Sequence, residues 1–182
     1  MTAEISHSTQ ESIILTLFDL VNYLTKNGES MSRQAGLTVQ QWILLLQVAG
    51  DPNFPHYQDG ANSDPEVRVS TVACNRGVTR SSVSAQVTAL IRMGMLTQKE
   101  DPQDRRRKAL HVTKKGKRAL ESIEPSRRGA NRSLFKNWTT AELEGLLEAL
   151  QVCLRRLARS TPGGSDRAAV GESLGESEYD SR

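Results

Sequence analysis

Two clusters in this 182-residue chain have side chains whose types and spacing suit contact with a polyanion. The first surrounds Gly77. Val72 and Ala73, the Gly77-Val78 pair and Val83 have the spacing of a helix-turn-helix. A small residue lets the two helices cross closely, the glycine makes the turn, and the valines pin the second helix onto the first. In that second helix Val83, Val87, Leu90 and Ile91 share one face. At about 100° per residue the opposite face carries Ser81, Ser84, Ala85, Thr88 and Arg92. Small side chains let a helix backbone approach base edges in a major groove; hydroxyls donate or accept there, and Thr or Ala methyls meet thymine methyls. Arg80 lies in the first turn, the end that enters the groove. A solvated amphipathic helix gives the same pattern, so this cluster alone does not decide the function. Arg76 stands where an apolar residue is usual; its stem can pack while its head stays free.

The second cluster is Asp101-Pro102-Gln103-Asp104-Arg105-Arg106-Arg107-Lys108, four consecutive cations at a turn. Predicted strands Met95–Glu100 and Lys108–Val112 flank it, which makes it the tip of a hairpin. An arginine-bearing arm suits a narrow minor groove, where negative potential is focused, and Asp104 can hold the Arg106 guanidinium in position. Such runs are more often exposed charged turns. Here the arm follows directly on the candidate recognition helix, and helix-turn-helix plus basic hairpin makes a winged helix. The charge balance agrees. The net charge is only +3, but residues 76–132 hold 15 basic against 5 acidic residues, whereas residues 1–75 hold 3 against 8. One basic block between acidic ends fits a polyanion partner.

The elements that must position these clusters are mostly helical. Ser8-x-x-Glu11 reads as a capping box for a first helix over about 9–27, ending near Gly28. Thr38-x-x-Gln41 opens a short, heavily apolar second helix that stops at Gly50. Residues 50–66 contain three prolines and two glycines and read as a long loop. Val67–Val69 suits a short strand, and Ser70 can cap a third helix through about Arg76. Thr79 is the N-cap of the helix over 80–92, with Gly94 at its C′ position. Thr113 caps a fifth helix that Pro125 and Gly129 are expected to kink or split. Thr139-x-x-Glu142 caps a sixth, along which Leu143, Leu146, Leu147, Leu150, Cys153, Leu154 and Leu157 form an apolar stripe. Ile13, Leu17, Val21 and their neighbours form another on the first helix. Each stripe exceeds what one winged-helix lobe can bury, so both call for a partner surface. Residues 1–8 and the acidic stretch 160–182 are expected to be disordered.

Composition and motifs exclude other classes. No apolar run approaches the roughly 18 residues that span a bilayer, and the N-terminus has no secretory pattern. Cys74 and Cys153 form no CxxC pair, so a reducing, cytoplasmic setting is the default. His7, His56 and His111 have no metal-ligand spacing, and neither a GxSxG elbow nor a P-loop occurs. Neither metal, cofactor nor catalysis is expected.

The stretch from Gly77 to Gly116 resembles the MarR family of bacterial transcriptional regulators. Three pieces carry the resemblance: GVTRSSVS at Gly77–Ser84, the L-x-x-x-G-x-L exit at Leu90–Leu96, and the D-x-R-x-x-x-L-x-V-T-x-x-G wing from Asp104 to Gly116. Gly36-Leu37-Thr38-x-x-Gln41-Trp42 and Thr139-x-x-Glu142-Leu143 look like the family's second and last helix entries, so the likeness covers about residues 9–158. The 50–66 loop is longer than is usual there.

The resemblance implies a mainly α fold with a small β-hairpin wing. It implies one domain over 9–159, with a winged helix-turn-helix lobe at 36–118 and dimerisation helices at 9–35 and 119–159. It further implies a homodimeric regulator, a repressor in this reading, on a pseudo-palindromic operator in double-stranded DNA. Thr79, Arg80, Ser81, Ser84 and Thr88 would read bases. Asp104, Arg105, Arg106 and Arg107 would form the wing contact, and Lys114, Lys115, Lys117 and Arg118 would steer or touch phosphates. Ile13, Leu17, Val21, Leu143, Leu147, Leu150 and Leu154 would dimerise. A small aromatic or phenolic effector is implied, with Arg33 and Trp42 as candidate contacts, although a tryptophan there is more often core. Alternatives are a winged helix used for protein contact, and redox response through Cys74 or Cys153. Both cysteines are expected to be small buried hydrophobes.

Overall fold

Helix α1 spans Thr9–Ser32 in the computed structural model, which describes residues 8–54, 67–100 and 108–160. Ser8 holds the extended N-cap position, but its hydroxyl makes no capping bond. The helix does not stop near Gly28 as expected. Gly28 lies buried inside it, facing α2 (Val39–Val48). A Cβ there would sit 2.6 Å from Val39 Cγ2 and 3.7 Å from the Trp42 ring. This glycine marks a close helix crossing, and the chain leaves α1 through a 3-10 turn at Arg33–Ala35. The Thr38 box that opens α2 is complete: Gln41 N donates to Thr38 Oγ1 at 3.2 Å and Thr38 N to Gln41 Oε1 at 3.0 Å.

Helix α3 is Val69–Arg76, with Arg68 rather than Ser70 at its N-cap. The strand expected at Val67–Val69 does not form, but the Val67 carbonyl accepts from Leu110 N at 2.8 Å. One ladder-like bond survives where α3 takes over the chain. Helix α4 (Arg80–Arg92) leads to an antiparallel pair, β1 (Leu96–Glu100) and β2 (Lys108–Val112), in register from Leu96 opposite Val112 to Glu100 opposite Lys108. Helix α5 runs unbroken from Lys114 to Leu134. The expected split is absent: Pro125 removes one donor and Gly129 one side chain, yet neither ends the helix. Helix α6 is Thr140–Ser160, opened by the expected box, with Thr139 N donating to Glu142 Oε2 at 2.7 Å and Glu142 N to Thr139 Oγ1 at 3.3 Å.

The chain divides into two compact units, Met1–Leu134 and Phe135–Arg182. The first has a core of Leu44 and Leu45 from α2, Val72 from α3, Val83 and Leu90 from α4, Leu96 from β1 and Ile123 from α5. That core fixes the helix-turn-helix and the base of the hairpin as one body. Helix α1 is different. Ile13, Ile14, Leu15, Phe18, Val21 and Tyr23 are each more than half exposed. In the second unit, Leu147, Leu150, Leu154 and Leu157 of α6 are exposed as well. Leu17 and Leu143 are half-buried.

A polar network that sequence reading missed anchors α5. Arg127 Nη1 donates to Asp51 Oδ2 at 2.9 Å, just beyond α2, and Arg127 Nε to Glu124 Oε2 at 2.7 Å. Arg128 Nε reaches Glu124 Oε1 at 2.7 Å. The hydrogen bonds from Arg127, then those from Arg128, hold the Glu124 carboxyl below its ordinary range. Its contribution to stability is therefore complete above the unfolded pKa, about 4.3 for a glutamate, and is lost as pH falls through the lower folded value. Glu124→Gln should lower the melting temperature at pH 7 by a few degrees, consistent with about 1 kcal/mol for a partly exposed bridge. It should also flatten the fall in melting temperature between pH 5 and pH 3. Parallel wild-type and variant curves over that range would remove this carboxylate from acid sensitivity.

Candidate nucleic-acid interface

The turn between α3 and α4 depends on Gly77, whose φ of 63° places it in the left-handed region that glycine enters without a Cβ clash. Thr79 then caps α4, its Oγ1 accepting from Ser82 N at 3.2 Å. Val83, Val87 and Leu90 are buried, while Ser81, Ser84, Ala85, Thr88 and Arg92 are exposed or at the surface edge, as the helical wheel requires. Ile91 was expected on the buried face but is 36% exposed. It lies at the edge of the apolar arc of α4.

The outward face is partly committed to its own hydrogen bonds. Ser81 Oγ lies 3.0 Å from Thr79 Oγ1, and Thr88 Oγ1 donates to the Ser84 carbonyl at 2.9 Å. Thr79 therefore acts first as a cap. Thr88 presents oxygen lone pairs and a methyl outward, and Arg80 stands exposed at the helix entry. This is a small, chemically versatile surface on a helix held rigidly from behind, as readout of base edges demands.

Arg76 is half-buried, but its head is not free as expected. Its guanidinium donates to Gln86 Oε1 of α4 at 3.5 Å and to Gln40 Oε1 of α2, tying three helices together. Burial lowers its pKa from the ordinary guanidinium value. The two glutamines lie 36 and 10 residues away in sequence, and local spacing does not signal such partners.

The wing strands stand beside α4, with Leu96, Ala109 and Leu110 buried at their base and Lys99, Lys108 and His111 exposed. Lys108 pairs with Glu100 at 3.3 Å across the hairpin. The tip residues Asp104, Arg105, Arg106 and Arg107 lie outside the described residues, as do His7 and His56. Lys114, Lys115, Lys117 and Arg118 are all exposed at the start of α5. Lys115 also reaches back, its Nζ donating to the Met93 carbonyl at 2.8 Å. The T-x-x-G spacing at Thr113–Gly116 was the available signal for this junction.

Other expected sites fare differently. Trp42 is 7% exposed and packs against Gly28 as core. Arg33 lines a shallow recess with Glu29, Leu37 and Thr38, and Trp42 is not among its walls. Cys74 and Cys153 are both exposed, which corrects the expectation that they are buried. Cys74 falls on the outer face of α3, and Cys153 lies on the α6 stripe. Among the described residues no group of three or more His, Cys, Asp or Glu side chains could hold a metal ion, and no helix is long and apolar enough to cross a membrane.

Comparison with known proteins agrees with this geometry. The winged helix DNA-binding domain family matches residues 37–116. An uncharacterized protein of Mycobacterium tuberculosis is 25% identical over 150 residues, covering 82% of this chain and 95% of that protein. Among solved structures, the MepR–DNA complex of S. aureus shares the fold at a TM-score of 0.66 and 19% identity, covering 82% of this chain and 99% of that one. CouR from Rhodococcus jostii RHA1, solved bound to p-coumaroyl-CoA, does so at 0.65 and 18%, covering 86% and 99%. At these identities the likeness is one of fold, and that fold is found in MarR-family transcription regulators.

Proposed function

We propose that this chain is a sequence-specific transcriptional repressor, a reading supported by the match of residues 37–116 to the winged helix DNA-binding domain family and by a fold shared with MarR-family regulators. It binds a pseudo-palindromic operator as a homodimer. The observation that carries the reading is the division of α4: Val83, Val87 and Leu90 are sealed into the core while Arg80, Ser81, Ser84, Ala85 and Thr88 face outward. A helix so divided, beside a basic hairpin, is built to enter a major groove. Thr79, Arg80, Ser81, Ser84 and Thr88 supply direct readout, Arg105 and Arg106 the minor-groove arm, and Lys114, Lys117 and Arg118 contact phosphates without reading sequence.

The homodimer is supported by the exposed apolar stripes of α1 and α6, which a lone chain would leave in water. A two-fold dimer sets its recognition helices about one DNA turn apart. The reading includes a cytoplasmic location and a small aromatic or phenolic effector that releases DNA. The effector is supported by the neighbour solved with p-coumaroyl-CoA.

A footprint on the DNA flanking the chain's own gene tests this reading, repeated with a panel of aromatic acids and phenols. Two protected half-sites related by a dyad are expected, lost with at least one compound. Affinity should fall steeply with salt, with a log–log slope of about −0.9 per phosphate contact. A flat slope would point instead to a winged helix used for protein contact.

A further inference from the structure

We propose that Thr113 and Lys115 are positioning residues for the recognition helix, clamping its C-terminal end to the start of α5 and setting the angle at which α4 meets DNA. The inference rests on the DNA-reading function above and assigns Lys115 a role distinct from steering phosphates.

The last carbonyls of a helix have no donors within it. Helix α4 meets this need with its own exit, where Met93 N donates to Ala89 O, Gly94 N to Ile91 O and Met95 N to Leu90 O. The carbonyls of those three exit residues are in turn taken by the first turn of α5 and the residue before it. Lys115 Nζ donates to Met93 O at 2.8 Å. Thr113 Oγ1 donates to Gly94 O at 2.7 Å, with Met95 O at 3.2 Å, and Thr113 N donates to Met95 O at 3.0 Å. The same threonine oxygen accepts from Gly116 N at 3.1 Å, so one side chain caps α5 and grips the exit of α4 together. An ammonium at the negative end of a helix is also electrostatically favourable. Gly116 keeps the two segments in direct contact, since a Cβ there would lie 2.4 Å from Met95 O.

The opposite end of α4 is held by the Thr79 cap and the Gly77 turn, and its inner face by Val83, Val87 and Leu90. Without the clamp, α4 keeps its cap and its buried face and stays folded, but one end is free to rock about the apolar contact. Only the fraction of molecules with the helix at the correct angle then binds the specific site. Contacts with phosphate tolerate a few degrees of rotation better than hydrogen bonds to base edges do.

The test uses the full chain and two probes: a duplex selected from a randomised pool by the wild-type protein, and a scrambled duplex of equal length. Affinities are measured across a salt series for Lys115→Met, Lys115→Arg, Thr113→Val and Lys117→Met, with melting temperatures alongside. Lys115→Met should weaken binding to the selected duplex about five- to tenfold, as when one charge-assisted hydrogen bond is lost. Binding to the scrambled duplex and the salt slope should not change. Lys115→Arg should restore most of the loss, and Thr113→Val should behave as Lys115→Met. Lys117→Met should weaken both duplexes alike and reduce the slope by about 0.9.

If Lys115→Met follows the Lys117→Met pattern, Lys115 is a phosphate contact and the proposal is overturned. Unchanged affinity for Lys115→Met overturns it as well, even where Thr113→Val is too unstable to read. A wild-type chain that binds both duplexes equally would overturn the DNA-reading function itself, so the wild-type arm shows which of the two readings has failed.

Discussion

Val21→Glu is expected to convert the chain from dimer to monomer on sizing and to lower operator affinity by at least about a hundredfold, the scale on which linked binding events exceed single ones. Val21 lies on α1 and is 56% exposed within one chain. A carboxylate there costs the protomer little, because water still reaches it and the core formed by Leu44, Leu45, Val72 and Leu90 is elsewhere. In a dimer that covers α1, the same charge is buried twice without a partner, at several kcal/mol per ion. The penalty therefore falls on association and not on folding, and the far-ultraviolet dichroism of the variant should match wild type. Leu154→Glu applies the same logic to α6, where the side chain is 51% exposed. A Val21→Glu chain that still elutes as a dimer and binds with unchanged affinity would show that α1 is not the dimer surface.

How much was legible beforehand depends on how local each cause was. The caps at Thr38, Thr79 and Thr139, the αL glycine at Gly77 and the outward set on α4 are decided within a few residues, and all were readable from spacing. The misreadings share one source. Gly28 resembles a helix stop, yet it is a contact with Val39, eleven positions along the chain; a stop and a close crossing both select glycine. Pro125 resembles a break, but α5 runs on through it, packed into the core by Ile123 and bonded to Asp51 by Arg127. For Ile91 and the two cysteines, residue type alone points inward, whereas exposure is decided by which element covers them. In the site itself, the readout residues followed from the helical period. The ties that aim them, from Arg76 to Gln40 and from Lys115 to Met93, join residues tens of positions apart.

Gly116→Ala is expected to lower the melting temperature by roughly 4–8 °C, at 2–4 °C per kcal/mol for a chain of this size. Helix propensity alone predicts the reverse, since alanine in a helix interior is favoured over glycine by about 1 kcal/mol. The added methyl decides otherwise. It would lie 2.4 Å from the Met95 carbonyl oxygen and 2.7 Å from Val112 Cγ1. The nearer of these is backbone, so no rotamer change relieves it. Relief requires α5 to move away from the hairpin, which lengthens the bond from Thr113 N to Met95 O and loosens the exit of α4. Overpacking of this kind costs about 1–3 kcal/mol beyond any local gain. The contrast lies within the same helix. At Gly129 an added methyl would meet nothing within 4 Å, so Gly129→Ala should keep the propensity gain and raise the melting temperature by a few degrees. Calorimetry on the two variants separates the effects: opposite signs establish that the contact of α5 with Met95 governs this junction, whereas a rise in both would show that the helix yields there at no cost.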